Sequence, residues 1–241
     1  MNQQKAAEKL VVALDTADRQ QGEWLVEQLY GLVAWFKVGL EAFTALGPDF
    51  VGWLVERGAK VFLDLKLHDI PNTVEKAARS CAQLGVSMLN VHAAGGAEMM
   101  RAALAGAQGG TPAGHTPPLV LAVTVLTSLD DLAWHQLGWR GSVAEAVIRW
   151  AELARSTGLA GVVCSPQELS RLRGAFPRPF LLLTPGIRPA GSQVGDQRRW
   201  ATPQQAVQDG ADLLVVGRPI TQAPDPRAAA QQVLDAMAGA L

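Results

Sequence analysis

The chain has 241 residues, 49% hydrophobic and 18% charged, with a formal net charge of −1. Such a composition supplies a sizeable core and excludes a disordered chain. The near-neutral charge gives no electrostatic case for nucleic acid or an anionic membrane surface, and no apolar run is long enough to span a bilayer.

The polar N-terminal stretch MNQQKAAEK lacks the apolar segment of a secretory signal. An apolar run from Leu10 to Leu14 then ends in Asp15, and a helix is expected around Gln20 to Tyr30. Trp35 to Leu40 reads as a second strand with Lys37 inside it, and a helix from about Glu41 to Arg57 stops at Gly58. Lys60 to Leu67 is the third strand, and Pro71 opens a helix that closes near Gly85. Val86 to Ala93 is a fourth strand, ending in His92 before Gly95-Gly96 begins another helix. Residues 106–118, GAQGGTPAGHTPP, read as a glycine- and proline-rich connector. Leu119 to Thr127 is a fifth strand, 128–141 an irregular stretch carrying Trp134 and Trp139, and Ser142 to Thr157 a helix. Gly161 to Ser165 is a sixth strand, followed by a short helix from Pro166 to Leu172. Phe180 to Thr184 is a seventh strand, and Pro189 to Arg199 a polar loop of the length typical of a lid. Thr202 caps a helix running to Asp209, Leu213 to Gly217 is the eighth strand, and Asp225 to Ala238 is the last helix.

Eight strands, each followed by a helix, predict a parallel sheet closed into a single-domain (β/α)₈ TIM barrel spanning 1–241. An open doubly wound sheet would be expected to show a phosphate fingerprint after the first strand, and the turn at Asp15 has no GxGxxG. Cys81 and Cys164 sit far apart in apolar surroundings, outside any CxxC pair. They are expected to be buried free thiols of a cytoplasmic protein.

Barrel active sites lie at the carboxyl ends of the strands. There the sequence places Asp15, Lys37, the Asp64–Lys66 pair, Thr127-Ser128, Pro185-Gly186 with Arg188 beyond, and Gly217-Arg218. The third strand is the densest: FLDLKLHDIPNT carries Asp64, Lys66 and Asp69 directly after an apolar run. Side chains two apart share a strand face, so Phe62, Asp64 and Lys66 point the same way. A strand-capping ion pair would explain Asp64 and Lys66 alone, but not six polar strand ends together. Gly186 and Gly217 permit close approach by an anion, and Arg218 supplies a planar fork suited to a phosphate dianion. Neighbouring carboxylates favour a protonated Lys66, a proton donor suited to protonating a carbanion. The four histidines are dispersed and no metal-ligand spacing is visible; His92 reads as a hydrogen-bonded structural residue or as one facing the site.

FLDLKLHDIPNT closely resembles the signature D-x-K-x-x-D-I-P-x-T of the orotidine 5′-phosphate decarboxylase family. VALD at 12–15, FKVG at 36–39, NVHAAGG at 90–96, VTVLTS at 123–128, TPGIRP at 184–189, GDQRR at 195–199 and VVGRPI at 215–220 extend the resemblance, to the bacterial form, along the whole chain. The resemblance implies cofactor-independent decarboxylation of orotidine 5′-monophosphate in pyrimidine biosynthesis, with no metal. Lys66 would protonate C6, Asp64 would sit against the substrate carboxylate, and Lys37 would hold the network and the ribose. Asp69, Ile70 and Thr73 would act in the partner's site of a homodimer. Asp15 would bind ribose hydroxyls, Thr127 the substrate with Ser128 beside it, and Pro185, Arg188, Gly217 and Arg218 would line the phosphate side. Gln197 would bridge base and phosphate from the loop. The rivals are a metal-dependent 3-keto-sugar-phosphate decarboxylase or hexulose-phosphate synthase of the same superfamily, and a non-catalytic phosphate-ligand-binding barrel.

Overall fold

The computed structural model describes residues 2–189 and 199–241. Eight parallel strands close into a barrel in sequence order: β1 (Leu10–Ala13), β2 (Trp35–Gly39), β3 (Lys60–Leu67), β4 (Met88–His92), β5 (Leu119–Val123), β6 (Gly161–Val163), β7 (Leu181–Thr184) and β8 (Leu213–Val216). The seam pairs Leu10 with Leu214 and Val12 with Val216. Around it run α1 (Asn2–Ala7), α2 (Arg19–Leu29), α3 (Leu40–Glu56), α4 (Pro71–Gln83), α5 (Gly96–Gly110), α6 (Asp131–Gln136), α7 (Val143–Ser156), α8 (Leu169–Ala175), α9 (Pro203–Gln208), α10 (Arg218–Thr221) and α11 (Pro226–Ala238).

Two apolar layers follow from the period-two alternation of the strands. Val11, Ala13, Trp35, Phe62, Met88, Leu121, Leu183, Leu213 and Val215 fill the barrel interior. Their alternates Leu10, Val12, Phe36, Val38, Leu63, Leu89, Val91 and Val120 face outward and pack under the helices. Continuing each inward face toward the carboxyl end changes its chemistry. Val11 and Ala13 lead to Asp15, Trp35 to Lys37, Phe62 to Asp64 and Lys66, and Met88 to Asn90. The barrel is therefore dry at its base and charged at its mouth. Cys81 and Cys164 are free and buried; burial pushes the Cys81 thiol up to about 11, and that of Cys164 higher still, which leaves both unreactive.

Four local features differ from the sequence expectation. Asn2–Ala7, to which the sequence reading assigns no element, is a helix that packs against α11, with Ala6 fully buried. Helix α3 is broken at Gly47, whose φ of +68 precedes Pro48. The irregular 128–141 stretch contains α6, and its buried Trp134 stacks on Trp139 at 5.1 Å and meets Trp150 edge-on. Strand β5 ends at Val123, so Thr127 stands on a loop.

The largest difference lies at 106–118. Helix α5 runs through to Gly110, and only the following residues form the connector. The glycines are a contact surface with α4. A Cβ on Gly106 would stand 2.1 Å from the Glu75 carbonyl oxygen, and one on Gly110 2.3 Å from that of Arg79. Neither helix backbone can yield without moving its strand. Gly106→Ala is expected to cost about 1–3 kcal/mol through overpacking. Thermal unfolding would register this as a lowered midpoint; an unchanged midpoint would mean the two helices are not held this close.

Candidate active site

The charged mouth surrounds a cavity of about 260 Å³. Its walls include Asp15, Lys37, Asp64, Lys66, Thr127, Pro185, Gly186, Arg188, Gly217 and Arg218. Phe62, Val163, Leu183 and Val215 form its apolar floor. The structure thus gathers residues from strands spread over two hundred positions of sequence, all at strand carboxyl ends.

One side is an alternating ion-pair network. Lys66 Nζ lies 2.7 Å from Asp64 Oδ1, and Lys37 Nζ 3.4 Å from Asp64 Oδ2 and 2.8 Å from Asp15 Oδ1. Both oxygens of Asp64 therefore face a cation, which makes a buried carboxylate tenable there. Burial pulls the Lys37 ammonium downward, but Asp64 and Asp15 together outweigh it and hold the group above its ordinary range. The room for this pair comes from Gly39, where a Cβ would sit 2.8 Å from Lys37 Nζ.

Strand β3 reaches this geometry through a bulge. Leu63 pairs with Leu89, but Leu67 pairs with Val91, so β3 carries two extra residues against β4. Lys66 takes up a left-handed conformation, with φ of +53, which costs a non-glycine residue roughly 1–2 kcal/mol. Its N–H is received by Asn90 Oδ1 at 2.8 Å, while Asn90 Nδ2 donates to Asp64 Oδ1 at 2.7 Å. Asn90 is fully buried.

The opposite wall carries the cations for an anion. Arg188 is buried, and its backbone N–H donates to the Ala201 carbonyl at 2.9 Å. Arg218 is exposed at the cavity rim, directly after Gly217. Gly186, with φ of +77, occupies a conformation that a side chain would strain. Thr127 reaches the cavity from the loop after β5, and Arg199 fixes that loop. Arg199 donates to the carbonyls of Thr127, Leu126 and Leu129 at 3.1–3.3 Å and pairs with Glu168 at 2.6 Å.

Asp69, Ile70 and Thr73 are exposed and lie outside the cavity of the single chain. The Asp69 carboxylate accepts the N–H of Ile70 at 2.6 Å. Gln197 lies outside the described residues. Ser128 lines a neighbouring depression with Glu168 and Arg199. His92 does not line the cavity: its ring lies 5.4 Å from that of His68. Burial first, then His68 and Lys66, lower its pKa and favour the neutral form. Among the described residues no group of three or more His, Cys, Asp or Glu is arranged to hold a metal ion.

Asn90, Gly39, Glu168 and Arg199 were not singled out by sequence reasoning. For Asn90 a signal existed, namely an amide on the inward face of the otherwise apolar run Met88-Leu89-Asn90-Val91.

The fold is a closed (β/α)₈ barrel whose mouth gathers a lysine–carboxylate network and two arginines around one cavity, the place where barrels of this class carry their active sites. Residues 8–233 match the orotidine 5'-phosphate decarboxylase / HUMPS family, and the chain belongs to it. It is 54% identical over 230 residues to the orotidine 5'-phosphate decarboxylase of Moorella thermoacetica, covering 95% of this chain and 91% of that one. The enzyme of the same name from Idiomarina loihiensis is 48% identical, covering 95% and 97%. The crystal structure of orotidine 5'-phosphate decarboxylase from Lactobacillus acidophilus superposes with a TM-score of 0.86 at 41% identity, covering 95% of this chain and 99% of that one.

Proposed function

We propose that this protein decarboxylates orotidine 5′-monophosphate to uridine 5′-monophosphate and CO₂, a step of pyrimidine biosynthesis, without metal or organic cofactor. The observation that carries the reading is Asp64 held between Lys66 and Lys37, across one cavity from Arg188 and Arg218. Relatives about half identical over nearly the whole chain bear the name of this activity.

The chemistry follows from that arrangement. When the bond from C6 to the carboxylate breaks, its electron pair remains on C6 and CO₂ departs. The Lys66 ammonium stabilises the developing negative charge and then delivers its proton to C6. Asp64 lies where the substrate carboxylate would enter, and the departure of that charge relieves their repulsion. Lys37 ties Asp64 to Asp15, which is half exposed and available to ribose hydroxyls. Arg188, Arg218 and the backbone at Gly186 and Gly217 receive the phosphate, and Thr127 contacts the substrate from its loop. Asp69, Ile70 and Thr73, exposed in the single chain, act in the partner's site of a homodimer, and Gln197 bridges base and phosphate. The protein works in the cytoplasm and needs no nucleic acid; no described helix is long and apolar enough to cross a membrane.

The test is turnover of orotidine 5′-monophosphate, followed by loss of its ultraviolet absorbance, with and without a chelator. Rapid conversion unaffected by the chelator is expected. No turnover by the folded protein, with activity on a 3-keto-sugar phosphate or hexulose phosphate restored by magnesium, would overturn the reading in favour of the metal-dependent siblings.

A further inference from the structure

We infer that Asn90 is the positioning residue of the catalytic network: its one side-chain amide sets the Asp64 carboxylate and the Lys66 backbone together. For turnover the inference rests on the decarboxylase reading; its structural content does not.

The argument begins with the bulge. Two extra residues on β3 lie between its Leu63 and Leu67 pairings with β4, opposite Asn90. Within that segment the N–H of Lys66 has left the regular ladder and needs another acceptor, because a buried donor without one is costly. Asn90 Oδ1 supplies it at 2.8 Å. The other end of the same amide donates to Asp64 Oδ1 at 2.7 Å, the oxygen that also receives Lys66 Nζ at 2.7 Å. Asn90, Asp64 and Lys66 thus form a closed ring of contacts through both the backbone and the side chain of Lys66. Only a group with a donor and an acceptor on one rigid plane closes it.

The residue type is demanding. Aspartate would keep the acceptor for the Lys66 N–H but lose the donor, and would set a carboxylate against Asp64. Leucine would fill the volume and satisfy neither partner. Lysine or arginine would offer donors only. Full burial keeps water from substituting for the amide. Asn90 does not line the cavity, so it acts on the substrate only through Asp64 and Lys66.

The contact also accounts for the left-handed φ of +53 at Lys66. That conformation turns the N–H toward β4 while the side chain returns to the inward face shared with Asp64. Without the amide Asp64 keeps Lys37 and the Lys66 ammonium, but the Lys66 backbone is no longer tied to the same carboxylate oxygen.

The experiment compares wild type, Asn90→Ala and Asn90→Asp by two readouts. Steady-state kinetics with orotidine 5′-monophosphate should show kcat lowered about 100-fold or more in both variants, because a misplacement of about 1 Å is worth that much. KM should stay within about threefold, as the phosphate wall is untouched. Amide hydrogen exchange, which needs no substrate, should show the Lys66 N–H exchanging at least about tenfold faster in Asn90→Ala, with strands β1 and β8 as protected as in wild type. In Asn90→Asp the acceptor persists, so Lys66 protection should be retained while kcat is lost. That split separates positioning of Asp64 from general loosening of the barrel. Wild-type kcat in Asn90→Ala, or unchanged exchange at Lys66, would overturn the inference. A wild-type protein inactive on this nucleotide but showing the exchange pattern would refute the decarboxylase reading and leave the structural role of Asn90 standing.

Discussion

Lys66→Ala is expected to fold and bind nucleotide, but to lose turnover by at least about 10⁴-fold. General acid catalysis alone contributes about 10²–10⁴, and loss of a charge aimed at the developing carbanion adds about 10²–10³. The fold should survive. The Lys66 side chain is 30% exposed, and Asp64 retains Lys37 and Asn90 after the substitution. A partly exposed ion pair of this kind is worth at most about 1 kcal/mol to stability. Binding of uridine 5′-monophosphate should change little, since the arginines and Asp15 are on other strands. Lys66→Arg sharpens the test. It keeps a cation near Asp64 but replaces an ammonium by a guanidinium that does not release its proton. If Lys66 serves as proton donor, both variants are inactive. If it serves only as a fixed charge, the arginine variant recovers much of what alanine loses. Activity in Lys66→Ala within tenfold of wild type would remove the lysine from the chemistry altogether.

The reason this lysine could be named from sequence is physical. Inside a barrel the inward face recurs every second residue, and charges two and four residues beyond Phe62, Asp64 and Lys66, have few places to go. The same alternation puts Asp15, Lys37 and Asp64 at the barrel mouth, where they line the cavity, because each continues an inward apolar series at a strand's carboxyl end. Features that depend on a neighbour's backbone were less legible. The β3 bulge leaves no mark in FLDLKLHD, which alternates as an ordinary strand would. Asn90 sits in another strand, and its role exists only once the bulge presents an N–H to it. At 106–110 the glycines read locally as breakers. Their actual use is a close approach to Glu75 and Arg79 some thirty residues earlier, and no local pattern encodes that partner. Likewise the kink at Gly47-Pro48 was overridden by helical periodicity on both sides. Arg199 is the converse: besides Glu168, its partners are the backbone carbonyls of Thr127, Leu126 and Leu129 on a distant loop, invisible to any reading of side-chain types.

The phosphate wall yields the second large expected effect. Arg218→Ala should lower kcat/KM about 10²–10³-fold, which lies within the roughly 2–5 kcal/mol for removing one partner of a hydrogen-bonded charge pair. Arg218 is exposed at the rim, so its truncation should cost the fold no more than about 0.5 kcal/mol. Arg188 is the useful contrast. It is buried and its guanidinium donates to the Ile187 carbonyl at 3.3 Å, so Arg188→Ala should lose stability as well as activity. How the Arg218 loss divides between kcat and KM reports what the phosphate does. Were the phosphate a mere handle, binding substrate and transition state equally, KM would rise and kcat would hold. The cavity argues for more. Arg218 and Lys66 line one pocket from the ends of β8 and β3, so a dianion held at the rim fixes how the pyrimidine enters toward Asp64 and Lys66. Binding energy from a remote group is then expressed at the reacting carbon, and kcat should fall together with kcat/KM. Unchanged kcat/KM in a folded Arg218→Ala protein would take the phosphate off this wall, and with it the argument that aligns C6 with Lys66.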